Sequence, residues 1–212
     1  MILYGAILSP FVRKALLALK EKGLAFEHQM VMPGDKSPAF RALSPFGKIP
    51  AFADGDFKIC DSTAIVTYLD AKYPETPVLP ADPAERARAI WFEEFSDTIV
   101  GAQVGALFWN RVVAPRFMGQ KGDDAAADKA EREGLPPILD YLETQIQANN
   151  LLVGQTVSIA DLSLGAQFVN LAYAGVEVDA AKYPKLAGYL AVIQARPAFI
   201  EVLAAEKALM GG

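Results

Sequence analysis

A serine lies at the junction between a short apolar run and a helical pattern, in the stretch "ILSPFVRKALLALKEKG" from residue 7 to residue 23. Serine accepts hydrogen bonds from free amides at a helix start, and proline suits the first helical position, so Ser9-Pro10 predicts a helix cap. A hydroxyl at this point can also donate a hydrogen bond to an anion, which the positive end of the helix favours. The stretch alone favours the cap, and the rest of the chain decides whether Ser9 also does chemistry.

Two further motifs contain residues that suit a ligand with carboxylates. In "GKIP", at residues 47–50, Lys48 precedes Ile49-Pro50, which either begins an edge strand as a trans peptide or is one of the cis peptides found almost only before proline. In "CDS", at residues 60–62, Ser62 is expected to cap the helix "STAIVTYLDAKY". Free amides and the positive end of that helix favour a bound carboxylate, so capping and binding are compatible there.

Composition excludes several functional classes. The 212 residues are 52% hydrophobic and 21% charged, which predicts a folded protein of one large or two small domains. A net charge of −5 argues against nucleic-acid binding. His28 is the single histidine and lies in a predicted strand, so we expect a structural role and no serine-histidine-aspartate site. Cys60 is the single cysteine, which excludes an internal disulfide and fits a reducing compartment.

Other sites and locations have no support in the pattern. We find neither a metal-ligand cluster nor a phosphate-binding loop, and no signal peptide is visible. The apolar stretch over residues 99–113 contains Gln103, Asn110 and Arg111, so it is too short and too polar to span a bilayer. A cytoplasmic protein without a membrane partner is expected.

The first eighty residues alternate strand and helix signals. Strands are expected at 1–5, 26–32, 51–53 and 57–60, and helices at 10–22, 38–43 and 62–72. Asp54-Gly55 is a strong hairpin signal between the last two strands. The first strands are joined by a helical crossover and the last two by a hairpin, so the order predicts one mixed four-stranded α/β sheet.

The rest of the chain has a helical pattern. Residues 74–83 carry four prolines in ten positions and are typical of a linker. Helices are expected from 85 to about 116, from about 124 to 148 with a kink or break at Pro136-Pro137, and in shorter lengths over 158–210. In "TVSIADLSL", Ser158 and Asp161 have the spacing of a capping box, which predicts structural support. We therefore assign a first domain to 1–78, a linker to 79–84 and an all-helical domain to 85–212.

The order and spacing of Ser9-Pro10, "GKIP" and "CDS", together with the helical second half, resemble the cytosolic glutathione S-transferases, and among them bacterial members of the serine type. The resemblance covers essentially the whole chain. It implies a thioredoxin-like first domain, an all-α second domain and a homodimer. It also implies conjugation of glutathione to a hydrophobic electrophile, a role in detoxification, and glutathione as co-substrate without a further cofactor.

The resemblance assigns the thiol chemistry to Ser9. The nucleophile is the thiolate of glutathione, and a hydroxyl that donates to sulfur stabilises that thiolate rather than attacking the electrophile. Ile49 is implied to offer its backbone to the cysteinyl part of glutathione, with a cis peptide before Pro50. Tyr4 is a rival for the role of donor, since some classes use a tyrosine near the first strand. Cysteine-dependent reductases of this family carry cysteine at the position of Ser9, so Cys60 does not support that activity.

The resemblance also assigns the charged ends of glutathione. Ser62 is implied to hold the γ-glutamyl carboxylate, and Asp61 to help with the ammonium group. Lys48 can reach the glycine carboxylate, and Lys36 matches a second position that often serves it. The family's usual Asn-Pro before this loop is Ser44-Pro45 here, so the hydrogen bonds within the loop are expected to differ.

The electrophile site and the reaction are less constrained. Aromatic and basic residues that could form the wall of an apolar acceptor pocket are Phe11, Phe108, Trp109, Arg111 and Phe117. Aromatic residues at helical spacing also suit a core. The same thiolate would serve a glutathione-dependent peroxidase, isomerase or ether-cleaving enzyme, and the same fold could belong to a non-catalytic ligand-binding protein.

Overall fold

A mixed four-stranded sheet forms the centre of the first part of the chain, in a computed structural model that describes residues 1–210. The strands are β1 (Ile2–Tyr4), β2 (Glu27–Gln29), β3 (Ala51–Asp54) and β4 (Phe57–Cys60). Their order in the sheet is β2-β1-β3-β4, with β1 parallel to β2 and the other pairs antiparallel. Leu3 and Phe52 face each other across β1 and β3 and are fully buried. The predicted thioredoxin-like sheet is therefore confirmed.

Strand β2 is shorter than the sequence predicts, and its partner explains why. Its residues pair with Ile2 to Tyr4, the whole length of β1, so no further ladder positions exist for residues 30–32. After Tyr4 the chain turns at Gly5, whose backbone φ of +152° is unsuited to most side chains. The predicted strand over 26–32 therefore reduces to three residues.

The helices of this part are α1 (Pro10–Glu21), α2 (Pro38–Leu43) and α3 (Ser62–Lys72). Helix α1 begins at the predicted proline and is followed by Gly23 with a φ of +65°. Leu16, Leu17 and Leu19 on α1 are buried almost completely, which is the burial that makes a short helix stable.

The second part of the chain is helical, as predicted. Helical backbone runs without a break from Pro83 to Phe117, through α4 (Pro83–Phe95), α5 (Gly101–Phe108) and α6 (Ala114–Phe117). The turns between them, Ser96–Val100 and Trp109–Val113, are wider π turns. The expected long helix is thus present, and its π turns were not predicted.

The helical segment expected to be kinked or broken at Pro136-Pro137 is irregular directly before these prolines. Helix α7 (Asp124–Lys129) passes through a π turn, Ala130–Gly134, into α8 (Leu135–Gln145). Pro136 and Pro137 are the second and third residues of α8, and they have no backbone N–H to donate to the carbonyls of the π turn before them. The irregularity falls just before the prolines.

The remaining helices are α9 (Ile159–Tyr173), α10 (Pro184–Gln194) and α11 (Pro197–Met210). The predicted capping box begins α9: the amide and hydroxyl of Ser158 donate to Oδ2 of Asp161 at 2.9 and 3.2 Å. Oδ1 of Asp161 accepts from the amide of Leu152 at 3.1 Å. Burial raises the pKa of the Asp161 carboxyl above its ordinary value, and these hydrogen bonds oppose that effect.

The compact units do not follow the linear order of the chain. Residues Met1–Ala81 form one unit together with residues 196–210, and Asp82–Ala195 form the other. The helical domain expected over 85–212 includes the last helix, whereas α11 packs with the first unit in the structure. Ion pairs from Glu201 and Glu206 of α11 to α1 explain this grouping, and Phe199 and Val202 of the same helix are almost fully buried.

Within residues 1–210 no helix taken singly is both long enough and apolar enough to cross a membrane. The segments Pro184–Gln194 and Pro197–Leu209, separated by a bend, satisfy those two criteria only when combined. The same residues contain no group of three or more His, Cys, Asp or Glu side chains arranged to hold a metal ion.

Candidate functional site

The three motifs singled out by the sequence meet at one end of the sheet. Tyr4, at the end of β1, pairs with Ala51 at the start of β3, and Ala51 in turn pairs with Cys60 at the end of β4. The segments that follow β1, precede β3 and follow β4 therefore emerge side by side. They carry Ser9, the Ile49-Pro50 peptide and the Asp61-Ser62 motif.

Gly5 allows this close approach. A Cβ atom at Gly5 would lie 2.5 Å from Cγ2 of Val12 and 3.2 Å from Cβ of Ile49. The amide of Gly5 donates to the carbonyl of Gln29 at 3.0 Å, and Nε2 of His28 lies 2.9 Å from the carbonyl oxygen of Gly5. His28 therefore has the structural contact expected of it, and it supports the segment that leads to Ser9.

Ser9 is the N-cap of α1, as predicted. Its backbone is extended, with φ −71° and ψ 126°, and its Oγ accepts a hydrogen bond from the amide of Val12 at 3.4 Å. The carbonyl of Ser9 accepts from the amide of Arg13 at 2.9 Å. Since Oγ is the acceptor in the cap, the hydroxyl proton of Ser9 is not used by it.

The peptide between Ile49 and Pro50 is cis, as the resemblance implied. The carbonyl of Pro50 accepts a hydrogen bond from the amide of Asp61 at 3.3 Å, which joins the second motif to the third. The Cβ of Ile49 lies close to Gly5, which follows the end of β1.

The cap of α3 is Asp61, so the prediction that Ser62 caps this helix is wrong by one residue. Oδ1 of Asp61 accepts from the amides of Thr63 and Ala64 at 2.9 and 3.0 Å, and the φ of Asp61 is +88°. Ser62 is the first residue of the helix and is 3% exposed, while the side chain of Asp61 is exposed. A carboxylate therefore already lies at the positive end of α3.

The loops that carry the two candidate lysines are joined to each other. Lys36 and Lys48 are both exposed, and the amide of Gly34 donates to the carbonyl of Gly47 at 2.9 Å. The hydroxyl of Ser44 donates to the carbonyl of Lys48 at 2.7 Å. The departure from Asn-Pro to Ser44-Pro45 thus leaves a side chain that still fixes the backbone of Lys48.

Arg41 organises the same loops from α2. Its guanidinium donates through Nε to the carbonyl of Asp35 at 3.0 Å and through Nη1 to the carbonyl of Pro45 at 2.8 Å. A Cβ at Gly47 would lie 3.0 Å from this guanidinium, which accounts for glycine at that position. The side chain and amide of Ser37 donate to Asp35 and hold the pKa of its carboxyl below the ordinary value.

A buried cation connects the helices that bear Ser9 and Ser62. The ammonium of Lys14, on α1, donates to Oγ1 of Thr63, in the first turn of α3, at 3.3 Å. The side chain of Lys14 is fully buried. The starts of the two helices are therefore held together by a polar contact as well as by apolar packing.

The residues considered for the electrophile have different surroundings. Phe11 lies on α1 in the first unit and is half-buried, whereas the others lie in the second unit. Phe108 is in the core at 8% exposure, and Trp109 and Phe117 are 47% and 45% exposed. Nη2 of Arg111 donates to carboxylates of Asp128 and Glu131, so this cation is already engaged.

The sequence matches the model of the glutathione S-transferase N-terminal domain over residues 3–77 and that of the C-terminal domain over residues 109–206. Glutathione S-transferase 3 of Zea mays is 34% identical over 212 residues, which cover 96% of this chain and 93% of that protein. The chain belongs to the glutathione S-transferase family. The resemblance noted from the motifs is thereby confirmed.

Two bacterial proteins are similar to this chain over nearly its whole length. A glutathione S-transferase structure from Rhodospirillum rubrum has a TM-score of 0.86 and 27% identity, and the match covers 95% of this chain and 91% of that one. FtsZ-localized protein A of Caulobacter vibrioides is 29% identical over 201 residues, or 93% of this chain and 88% of that protein.

Several residues at this site were not found from the sequence. Lys14 and His28 act through partners distant along the chain, Thr63 and Gly5, which spacing does not reveal. Arg41 contacts the nearby carbonyls of Asp35 and Pro45, and a contact from a side chain to a loop carbonyl has no signal in residue type. The positive φ of Gly47 had a signal, because glycine directly before "KIP" suits a left-handed backbone. The capping role of Asp61 had one too, since aspartate is as good a cap as serine.

Proposed function

We propose that this chain is a glutathione transferase in which Ser9 stabilises the thiolate of glutathione by a hydrogen bond. The observation that carries the proposal is the geometry of the cap. Oγ of Ser9 accepts from Val12 and keeps its proton, at the end of the sheet where Ile49-Pro50 and Asp61 also lie. One hydroxyl can therefore cap α1 and donate to sulfur at the same time.

The chemistry requires an ionised thiol. A thiol with a pKa of about 8.5 is only about 3% thiolate at pH 7. Lowering the pKa by about two units makes the thiolate the main form, and each unit corresponds to about 1.36 kcal/mol of preferential stabilisation. The Ser9 hydroxyl and the positive end of α1 supply that stabilisation. The sulfur then forms a bond to an electrophilic carbon, and a leaving group departs or the adduct takes up a proton.

The remaining contacts would hold the rest of the tripeptide. The backbone of Ile49 pairs with the cysteinyl part, as an added strand would. The start of α3 at Ser62 receives the γ-glutamyl carboxylate, and the exposed carboxylate of Asp61 accepts from the ammonium group. Lys48 and Lys36 attract the glycine carboxylate from the joined loops.

The electrophile is proposed to be apolar. Phe11, Trp109 and Phe117 are the aromatic candidates with exposed surface. We further propose a homodimer in the cytoplasm that serves detoxification, on the strength of family membership and of a composition with a single cysteine. Peroxidase, isomerase and ether-cleaving activities use the same thiolate and belong in the same substrate screen.

A second candidate function is protein binding without turnover. It is favoured by the similarity to FtsZ-localized protein A, whose name describes localisation with FtsZ rather than a reaction. Retention on a glutathione resin and turnover of an electrophile panel favour the transferase. Co-sedimentation with FtsZ polymers in the absence of any turnover favours the binding protein.

Replacing Ser9 by alanine tests the proposal. We expect the pKa of bound glutathione to rise by at least about one unit, which corresponds to about 1.4 kcal/mol of lost thiolate stabilisation, while glutathione affinity changes much less. The ultraviolet absorbance of the thiolate, titrated against pH in the binary complex, measures this. Ser9→Thr keeps a hydroxyl in a tighter turn and is expected to retain part of the effect.

Ser37 provides a matched control in the same unit. Its Oγ caps α2 by accepting from the amide of Phe40 at 3.3 Å, and Pro38 follows it as Pro10 follows Ser9. Ser37→Ala removes this cap together with the contact of the hydroxyl to Asp35, so it should cost at least about 1 kcal/mol of stability and leave the thiol pKa unchanged. Wild-type turnover and an unshifted thiol pKa in Ser9→Ala would refute the role of Ser9 and make Tyr4→Phe the next variant.

A further inference from the structure

Within residues 1–210, three ion pairs join α1 to α11, the last helix of the chain, and to the residue before it. Arg13 pairs with Glu206, Lys20 pairs with Glu201 at 2.6 Å, and Glu21 pairs with Arg196, the residue directly before α11. Residue numbers rise along α1 as they fall along α11, so the helices are antiparallel. The end of α11 thus lies beside the first turn of α1, which begins at Ser9.

The pair at the Ser9 end differs from the others in burial and geometry. Arg13 donates from Nε to Oε1 of Glu206 at 2.6 Å and from Nη2 to Oε2 at 2.7 Å, and both side chains are 0% exposed. Such a two-point contact between planar groups fixes orientation as well as distance. At the other end, Arg196 and Glu21 are 36% and 11% exposed.

The backbone of Arg13 is bonded directly to Ser9. Its amide donates a hydrogen bond to the carbonyl of Ser9 at 2.9 Å. The hydrogen bond from the amide of Val12 to Oγ of Ser9 is longer, at 3.4 Å. Helix termini fray where nothing else holds them. The side-chain cap of this first turn is long, so contacts of neighbouring residues help to hold it, and the Arg13–Glu206 pair is one of them beside the contact of Lys14 to Thr63.

We propose that Glu206 is a positioning residue of the glutathione site: through Arg13 it holds the first turn of α1 and so keeps the Ser9 hydroxyl aimed at the thiol sulfur. The role is positional rather than electrostatic, because the carboxylate of Glu206 cancels the charge of Arg13 at the same place. The last helix of the chain is then a working part of the thiol site. This inference rests on the function proposed for Ser9.

The test compares the same substitution at the two ends of the helix pair. Glu206→Gln should raise the pKa of bound glutathione by about 0.5, a roughly threefold change in the ionisation constant, and lower kcat more than it changes the KM for glutathione. Glu21→Gln, the control at the far end, should lower the melting temperature without moving the thiol pKa. Glu206→Asp keeps the charge and should restore part of the wild-type pKa.

Hydrogen exchange on the full-length protein gives a readout that needs no glutathione. In the wild type, amides 12–16 and 202–207 should lose protection together as denaturant rises. Glu206→Gln should speed exchange at 12–16, and Glu21→Gln should not. If Glu206→Gln does not fold, the wild-type measurement still decides the coupling, since separate loss of protection overturns it.

The outcomes separate this inference from the proposed function. Unchanged exchange at 12–16 in Glu206→Gln overturns the positioning role whether or not glutathione binds. If Ser9→Ala shifts the thiol pKa but Glu206→Gln does not, the inference fails and the proposed function stands. If Glu206→Gln lowers the thiol pKa while Arg13→Met raises it, the pair acts by charge, and the positional role is refuted.

Discussion

Ser9 and Ser37 begin their helices with the same two residue types, a serine followed by proline, and with the same acceptor geometry. What differs is the surrounding chain. The end of β1, the cis peptide before Pro50 and the amide of Asp61 converge near the start of α1, whereas Ser37 begins a short helix among exposed residues. Residue type and spacing therefore predict a helix cap at both serines. Only the tertiary neighbours of Ser9 favour the proposed thiol chemistry there rather than at Ser37.

Lys48→Ala is expected to weaken glutathione binding rather than slow the reaction. Lys48 is exposed and remote from sulfur in the proposed site, so its contact to a carboxylate should change the KM for glutathione by roughly threefold to fivefold, the size expected of an exposed ion pair. Steady-state kinetics at varied glutathione, repeated at high salt, measure it. Salt should reduce the difference from wild type, because screening weakens exposed pairs.

Lys58 is the control for this prediction. It is an exposed lysine on β4 in the same unit, and it removes the same charge when changed to alanine. Lys58→Ala should leave the KM for glutathione unchanged. Equal effects of the two variants would show that net charge, and not a contact from Lys48, governs binding.

The start of α3 shows where prediction at the level of single residues ends. Asp61 and Ser62 are both good caps, and propensity does not choose between adjacent positions. The choice is made by the sheet: the amide of Asp61 is bonded to the carbonyl of Pro50, and its backbone takes a φ of +88° as the chain leaves β4. That constraint comes from a strand pairing distant in sequence.

At the scale of the element, helical periodicity predicted the long helical segment but not its π turns. Glycines on these helices make room for polar side chains: a Cβ on Gly101 would lie 3.2 Å from Nε2 of Gln167, and one on Gly134 would lie 2.1 Å from Oε1 of Gln103. Gly101 and Gly105 are four residues apart, a spacing that often indicates close helix packing, but a Cβ on Gly105 would meet no atom within 4 Å, so the close packing is at Gly101. Apolar periodicity does not report polar side chains packed against glycine.

The capping box of α9 gives a prediction about stability. Ser158→Ala should cost about 0.5–2 kcal/mol as the loss of a cap. Asp161→Ala should cost more, about 1–3 kcal/mol, because it leaves the buried amides of Leu152 and Ser158 without their acceptor. Denaturant unfolding measures both values, and the m value, the slope of the unfolding free energy against denaturant concentration, should be unchanged.

Activity separates a structural capping box from a functional one. Both variants should retain near-normal turnover per folded molecule, since Ser158 and Asp161 lie in the second unit and their side chains bond the start of α9 and the amide of Leu152, not a residue of the proposed glutathione site. A large loss of turnover with an unaltered melting temperature would contradict the structural role. Asp123→Ala, which removes the acceptor for the amide of Ala126 at an exposed cap, is the control for a cap without burial.

At the scale of the whole molecule, the sequence predicted the order of the elements better than their grouping. The proline-rich segment over 74–83 contains the first boundary between the units, which lies between Ala81 and Asp82. The second boundary, before Arg196, has no composition signal of that kind, because α10 and α11 are both apolar helices with proline near the start. The partners of α11 are charged residues on α1, about 180 positions earlier in the chain.

The discontinuous unit leads to a prediction about which part of the molecule a core substitution weakens. Phe199 on α11 and Leu186 on α10 are both fully buried, and changing either to alanine removes a large apolar side chain from a packed core. The expected cost is about 3–5 kcal/mol for Phe199→Ala and about 2–5 kcal/mol for Leu186→Ala. Hydrogen exchange resolved by peptide measures where the loss of protection falls. Phe199→Ala should weaken residues 1–81 more than 82–195, although it lies at the far end of the chain, and Leu186→Ala should do the reverse. If Phe199→Ala instead weakened residues 82–195 first, α11 would belong energetically to the helical unit, and the grouping of the last helix with the sheet would be refuted.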